Sequence, residues 1–114
     1  MHAYSGKLDV EDGDFVLDAD RFIVRDDELG FMLSGSDEWG DFSIEGVAKR
    51  TEQGAFIASN LSLVYRQYVS NDSAGIEFDE IIQTAQKIRC RVKGKWNQYE
   101  DTWAFSGNLG PYKA

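Results

Sequence analysis

Apolar and polar residues alternate along most of this chain, with the period of strands. The first segment places Tyr4, Gly6, Leu8 and Val10 on one face and Ser5, Lys7 and Asp9 on the other. Asp12-Gly13 is a turn signal. From Asp14 to Asp26, two apolar clusters, Phe15 to Leu17 and Phe22 to Val24, are broken at Asp18-Ala19-Asp20. That break reads as a bulge or a short turn. A third strand, Phe31 to Gly35, stops at Ser36-Asp37-Glu38-Trp39-Gly40. The fourth, Asp41 to Lys49, aligns Phe42, Ile44, Gly46 and Ala48, and Glu52-Gln53-Gly54 turns it. A fifth run, Ala55 to Val69, changes phase: Phe56 and Ala58 share one face, then Leu61, Leu63 and Tyr65 take over. An extra residue near Ser59-Asn60 produces such a switch. Asn71-Asp72-Ser73 ends the run.

Residues 75 to 86 admit two readings. Ile76 and Phe78 alternate as in a strand, whereas Ile81, Ile82, Ala85 and Ile88 also fit a helical face, with Asp79 as N-cap. The strand is favoured, because no Gly or Pro interrupts and the neighbours are strands. In the seventh strand Ile88, Cys90, Val92, Gly94 and Trp96 point one way. Gln98-Tyr99-Glu100 turns it, and the eighth strand directs Trp103, Phe105, Gly107 and Leu109 inward.

A recurrent motif refines this picture: apolar, any residue, Gly, any residue, apolar or small. It reads Tyr4-Ser5-Gly6-Lys7-Leu8, Ile44-Glu45-Gly46-Val47-Ala48, Val92-Lys93-Gly94-Lys95-Trp96 and Phe105-Ser106-Gly107-Asn108-Leu109. An inward Gly in a strand marks a bend or a close approach. Several of them predict a small, strongly coiled barrel. The expected fold is therefore all-β, a single domain over residues 1–114. It is an eight-stranded antiparallel up-and-down barrel, with a short helix near 79–87 as the one open element. In architecture it resembles calycin-type barrels, and no family signature accompanies the resemblance.

Charge adds an asymmetry. The net charge is −8. Residues 1–50 hold thirteen acids and five bases, and residues 51–114 hold seven of each. The acidity belongs to the first half. It opposes nucleic acid and anionic membranes and favours a basic partner. No apolar run of about eighteen residues spans a membrane. Met1 to Val10 show no secretory pattern, so the cytoplasm is the expected compartment. The single cysteine, Cys90, excludes an internal disulfide and reads as a buried small hydrophobe.

Catalytic chemistry finds little support. His2 is the only histidine and is expected to fray at the N-terminus. No nucleophile elbow, phosphate loop or metal-ligand pair is present. The acids of the clear strands face outward, so no inward titratable group serves an enzyme. Neither a cofactor nor a metal is expected.

Two surface features stand out. Asp37, Glu38 and Asp41 surround Trp39, a large aromatic in an acidic turn. Trp39 either stands exposed as a partner-binding anchor or folds back to plug the barrel. The second feature is a stripe of alternate cations, Lys87, Arg89, Arg91, Lys93 and Lys95. It is either balanced by Glu77 and Asp79 on a neighbouring strand or free to bind an anion. Trp96, Trp103 and Phe105 are expected at the centre of the core. The expected function is a non-enzymatic protein-binding module whose acidic half engages a basic protein, in an inhibitor or immunity-type role. A small carrier of an apolar ligand held inside the barrel is the alternative.

Overall fold

A computed structural model of the protein describes residues 2–13, 15–66 and 68–113. Eight antiparallel strands form a closed barrel in chain order, and the described residues contain no helix. The strands are β1 (His2–Val10), β2 (Val16–Val24), β3 (Glu28–Asp37), β4 (Gly40–Arg50), β5 (Phe56–Tyr65), β6 (Val69–Gln83), β7 (Cys90–Gln98) and β8 (Asp101–Pro111). Pairing of β1 with β8 closes the sheet. No described helix is long and apolar enough to cross a membrane.

Two bulges fall where the phase breaks predict them. Asp20 is the extra residue between the pairs Ala19↔Leu33 and Arg21↔Met32, so β2 is one strand. In β5 the register shifts between Ala58 and Leu61, and Asn60 adopts a φ of 56°.

Residues 79–87 do not form a helix. The pairs Phe78↔Gly94 and Glu80↔Lys93 leave Asp79 as a bulge, and β6 continues to Gln83. The bulge moves the inward phase from Phe78 to Ile81, a three-residue step that imitates a helical face. Thr84 then closes the turn: its amide donates to the Arg89 carbonyl, and its hydroxyl accepts the amides of Ile88 and Arg89. Lys87, Ile88 and Arg89 therefore precede β7, and Ile88 is 55% exposed instead of inward.

The β5–β6 turn also lies elsewhere than expected. The Tyr65 amide donates to the Tyr68 carbonyl, so the chain reverses there and residues 71–73 lie within β6. Asp14, placed at the start of the second segment, lies outside the described residues. His2 does not fray but begins β1 opposite Val24.

Each of three inward glycines faces a phenylalanine across the ladder: Gly35↔Phe42, Gly46↔Phe31 and Gly94↔Phe105. At Gly94 an added Cβ would lie 2.6 Å from Cζ of Phe105, so the ring occupies the space that the missing side chain leaves. These pairs let large rings fill a narrow barrel. Phe78 packs against Phe22, Phe31 and Phe105, with centroids 5.5, 5.5 and 5.8 Å away. Of the three residues expected at the centre, Phe105 belongs to this cluster and Trp96 is fully buried. Trp96 lies in a second aromatic layer with Phe42 and Phe15, and Trp103 is only partly buried at its edge. Cys90 is buried, as expected of a small hydrophobe.

Candidate functional site

An up-and-down barrel brings alternate turns to the same end. The connections after β1, β3, β5 and β7 lie at one end, and the other three lie at the opposite end. Among the described residues, the first end gathers Glu11, Asp12, Asp37, Glu38, Asp41, Glu100 and Asp101, with Arg66 as the base of its turns. Acidity thus collects by barrel end and draws on both halves of the chain.

Trp39 stands on this end in the β3–β4 hairpin. Asp37 pairs with Gly40, leaving Glu38 and Trp39 as a two-residue turn. Oδ1 of Asp37 accepts the Trp39 amide at 2.8 Å, the local bond by which Asp residues fix turns. Its Oδ2 accepts the Tyr65 hydroxyl at 2.6 Å. Both oxygens of Asp37 are therefore engaged within the protein, whereas Glu38 and Asp41 are exposed. Trp39 is 65% exposed and does not plug the barrel. Phe15 does so instead. Its ring lies 5.4 Å from Trp96 and 5.6 Å from Trp103, edge-on to the latter.

Trp39 shares a depression of about 480 Å³ with Glu38, Tyr65, Tyr68, Val69, Ser70 and Tyr99. Tyr65 and Tyr68 stack at 4.9 Å with planes 11° apart. Tyr68 and Tyr99 are 49% and 56% exposed. Burial pushes the Tyr65 phenol well above its ordinary range, and the hydrogen bond to Asp37 adds to that shift. Three aromatic residues beyond Trp39 thus belong to the site and escaped the linear reading. Tyr68 lies in what reads as a continuous fifth strand. Tyr99 lies in a turn whose neighbours emerge only once the barrel closes.

The cationic stripe is shorter than its sequence pattern. Arg91, Lys93 and Lys95 project from β7, while Lys87 and Arg89 belong to the preceding turn. Arg91 meets Glu80 and Lys95 meets Asp79, each at 3.9 Å. Glu77 lies opposite Lys95 in the ladder. Lys87 instead lines a depression of about 430 Å³ at the opposite end, with His2, Arg25, Asp26 and Arg50 around it. The stripe and the Trp39 turn are therefore separate surfaces, and the structure does not bring them together.

No family model, curated protein or solved structure matches this chain.

Proposed function

We propose that this protein is a non-enzymatic binding module whose acidic, aromatic end engages a basic protein, in an inhibitor or immunity-type role. One observation carries the reading: exposed Trp39, Tyr68 and Tyr99 lie together at the end where Glu38, Asp41, Glu100 and Asp101 gather. Exposed aromatic anchors supply contact area at small entropic cost, and surrounding carboxylates steer a cationic partner. The alternative, an apolar ligand inside the barrel, has less support, because the rings of Phe22, Phe78, Trp96 and Phe105 fill the interior.

The test compares wild type with the Glu38→Lys/Asp41→Lys double variant as bait in extracts of the native host. A basic protein retained by wild type alone is then purified for kinetics. Charge reversal should slow its association about tenfold or more, and Trp39→Ala should speed its dissociation. Association rates that are equal at low and high salt would overturn the reading.

A further inference from the structure

We infer that the depression beside Trp39 receives one arginine side chain of that basic partner. The inference rests on the reading of the acidic end given above and adds the chemistry of its central contact. Trp39, Tyr68 and Tyr99 come from three different turns and, with Tyr65 at the end of β5, line one concavity. An aromatic face attracts a cation through its quadrupole, and several faces around one space make a cation receptor. Glu38 lies on the same lining, and Asp37 stands behind Tyr65 at 2.6 Å. These carboxylates favour a cation and disfavour an anion. Among the described residues of these turns, Arg66 in the β5–β6 turn carries the opposing charge.

The wall of the depression is organised in advance. Asp37 holds the Trp39 amide with one oxygen and the Tyr65 hydroxyl with the other. Tyr65 in turn stacks on Tyr68. A single carboxylate therefore fixes the turn that carries the indole and the tyrosine that supports its neighbour. This part of the wall is ordered before a ligand arrives.

Arginine suits this lining better than lysine. A guanidinium is planar, stacks flat on indole and phenol rings, and sheds water more readily than an ammonium. Its fork also matches the Glu38 carboxylate, which accepts paired N–H groups. An apolar side chain would gain the ring contacts and leave that carboxylate unanswered.

The experiment titrates the isotopically labelled protein with blocked tripeptides that carry arginine, lysine, citrulline or norleucine between two glycines. The readout is the indole N–H resonance of Trp39 in an NMR correlation spectrum, assigned with Trp39→Phe. The arginine peptide should shift this resonance at concentrations at least about tenfold lower than citrulline, its neutral near-isostere. Lysine should fall between them, and norleucine, which gains ring contacts alone, should require at least as much peptide as citrulline. Tyr68→Ala should abolish the preference, while Tyr99→Phe, which keeps the ring, should retain it. Equal response to arginine and citrulline would overturn the inference, as would no shift with arginine up to its solubility limit. A basic partner that binds with strong salt dependence, yet equally to wild type, Trp39→Ala and Tyr68→Ala, would overturn the arginine pocket and leave the acidic-end reading standing. A partner with no salt dependence would remove that reading itself.

Discussion

The hydroxyl of Tyr65 donates to Oδ2 of Asp37 at 2.6 Å, joining the end of β5 to the β3–β4 turn. Tyr65 is buried, and its phenol is held neutral beyond its ordinary pKa of 10.0 by that burial and by the adjacent carboxylate. A pKa raised in the folded state means stability that is complete below the unfolded value and is lost as pH climbs through the folded one. Raising the pH above about 10 should therefore weaken the fold at Tyr65, and Tyr65→Phe should remove that share of the loss. Ultraviolet titration of tyrosinate, wild type minus Tyr65→Phe, should place the missing group above the ordinary tyrosine range. A difference curve centred near pH 10 would contradict the burial and bonding described for this residue.

Phe15 and Trp39 lie at the same end with opposite roles. Phe15 fills the barrel mouth against Trp96 and Trp103, whereas Trp39 stands in solvent. Phe15→Ala should cost about 2–4 kcal/mol, below the full range for a wholly buried ring. Trp39→Ala should change stability by no more than about 0.5 kcal/mol. Urea unfolding of both variants checks the assignment, and the reverse order would mean that Trp39 is the plug.

The Gly94↔Phe105 pair makes a sharper demand. An added Cβ at Gly94 would meet both the Phe105 ring and the backbone carbonyl of Glu77. The ring can move, but the carbonyl belongs to the β6 ladder. Gly94→Val should cost roughly 1–3 kcal/mol through overpacking. A melting temperature equal to that of wild type would show that no ring occupies this space.

The cations of β7 should matter little to stability. Arg91 and Lys95 each sit 3.9 Å from a carboxylate, and both pairs are largely exposed. Such pairs are worth about 0–1 kcal/mol each. Converting Arg91, Lys93 and Lys95 to Gln should lower stability by no more than about 2 kcal/mol. The basic partner should still bind at the Trp39 end, with an association rate no slower than that of wild type. A mobility shift of RNA by wild type, abolished in this variant, would instead make β7 a nucleic-acid surface.

Strand identity was legible wherever inward and outward residues alternate without interruption. Phe42, Ile44, Gly46 and Ala48 show it in β4, and Cys90, Val92, Gly94 and Trp96 show it in β7. Bulges announced themselves when the phase switch fell among polar residues, as at Asp20 and Asn60. The bulge at Asp79 did not, because the isoleucines after it continue an apolar pattern that suits either element. Turns were misplaced where one hydroxyl does the work of Gly or Pro, as Thr84 does before β7. Asn71-Asp72-Ser73 misled for the opposite reason: it carries strong turn chemistry inside a long strand. At the candidate site, Trp39 was visible as an aromatic among acids. Tyr68 and Tyr99 were not, since their proximity depends on which turns share an end.

The β1–β8 seam has a kinetic meaning. Every other ladder joins strands consecutive in the chain, so each can form as a local hairpin with a short loop to close. The seam alone brings Tyr4 to Pro111 and Val10 to Phe105, from opposite ends of the sequence. Its loop-closure entropy is the largest of any pairing in the molecule. The search for long-range partners, which slows most all-β folds, is thus concentrated in one zippering event. Until that event is complete, β1 and β8 are open edges able to pair with another chain. The interval before closure is therefore when this barrel is most exposed to misassembly.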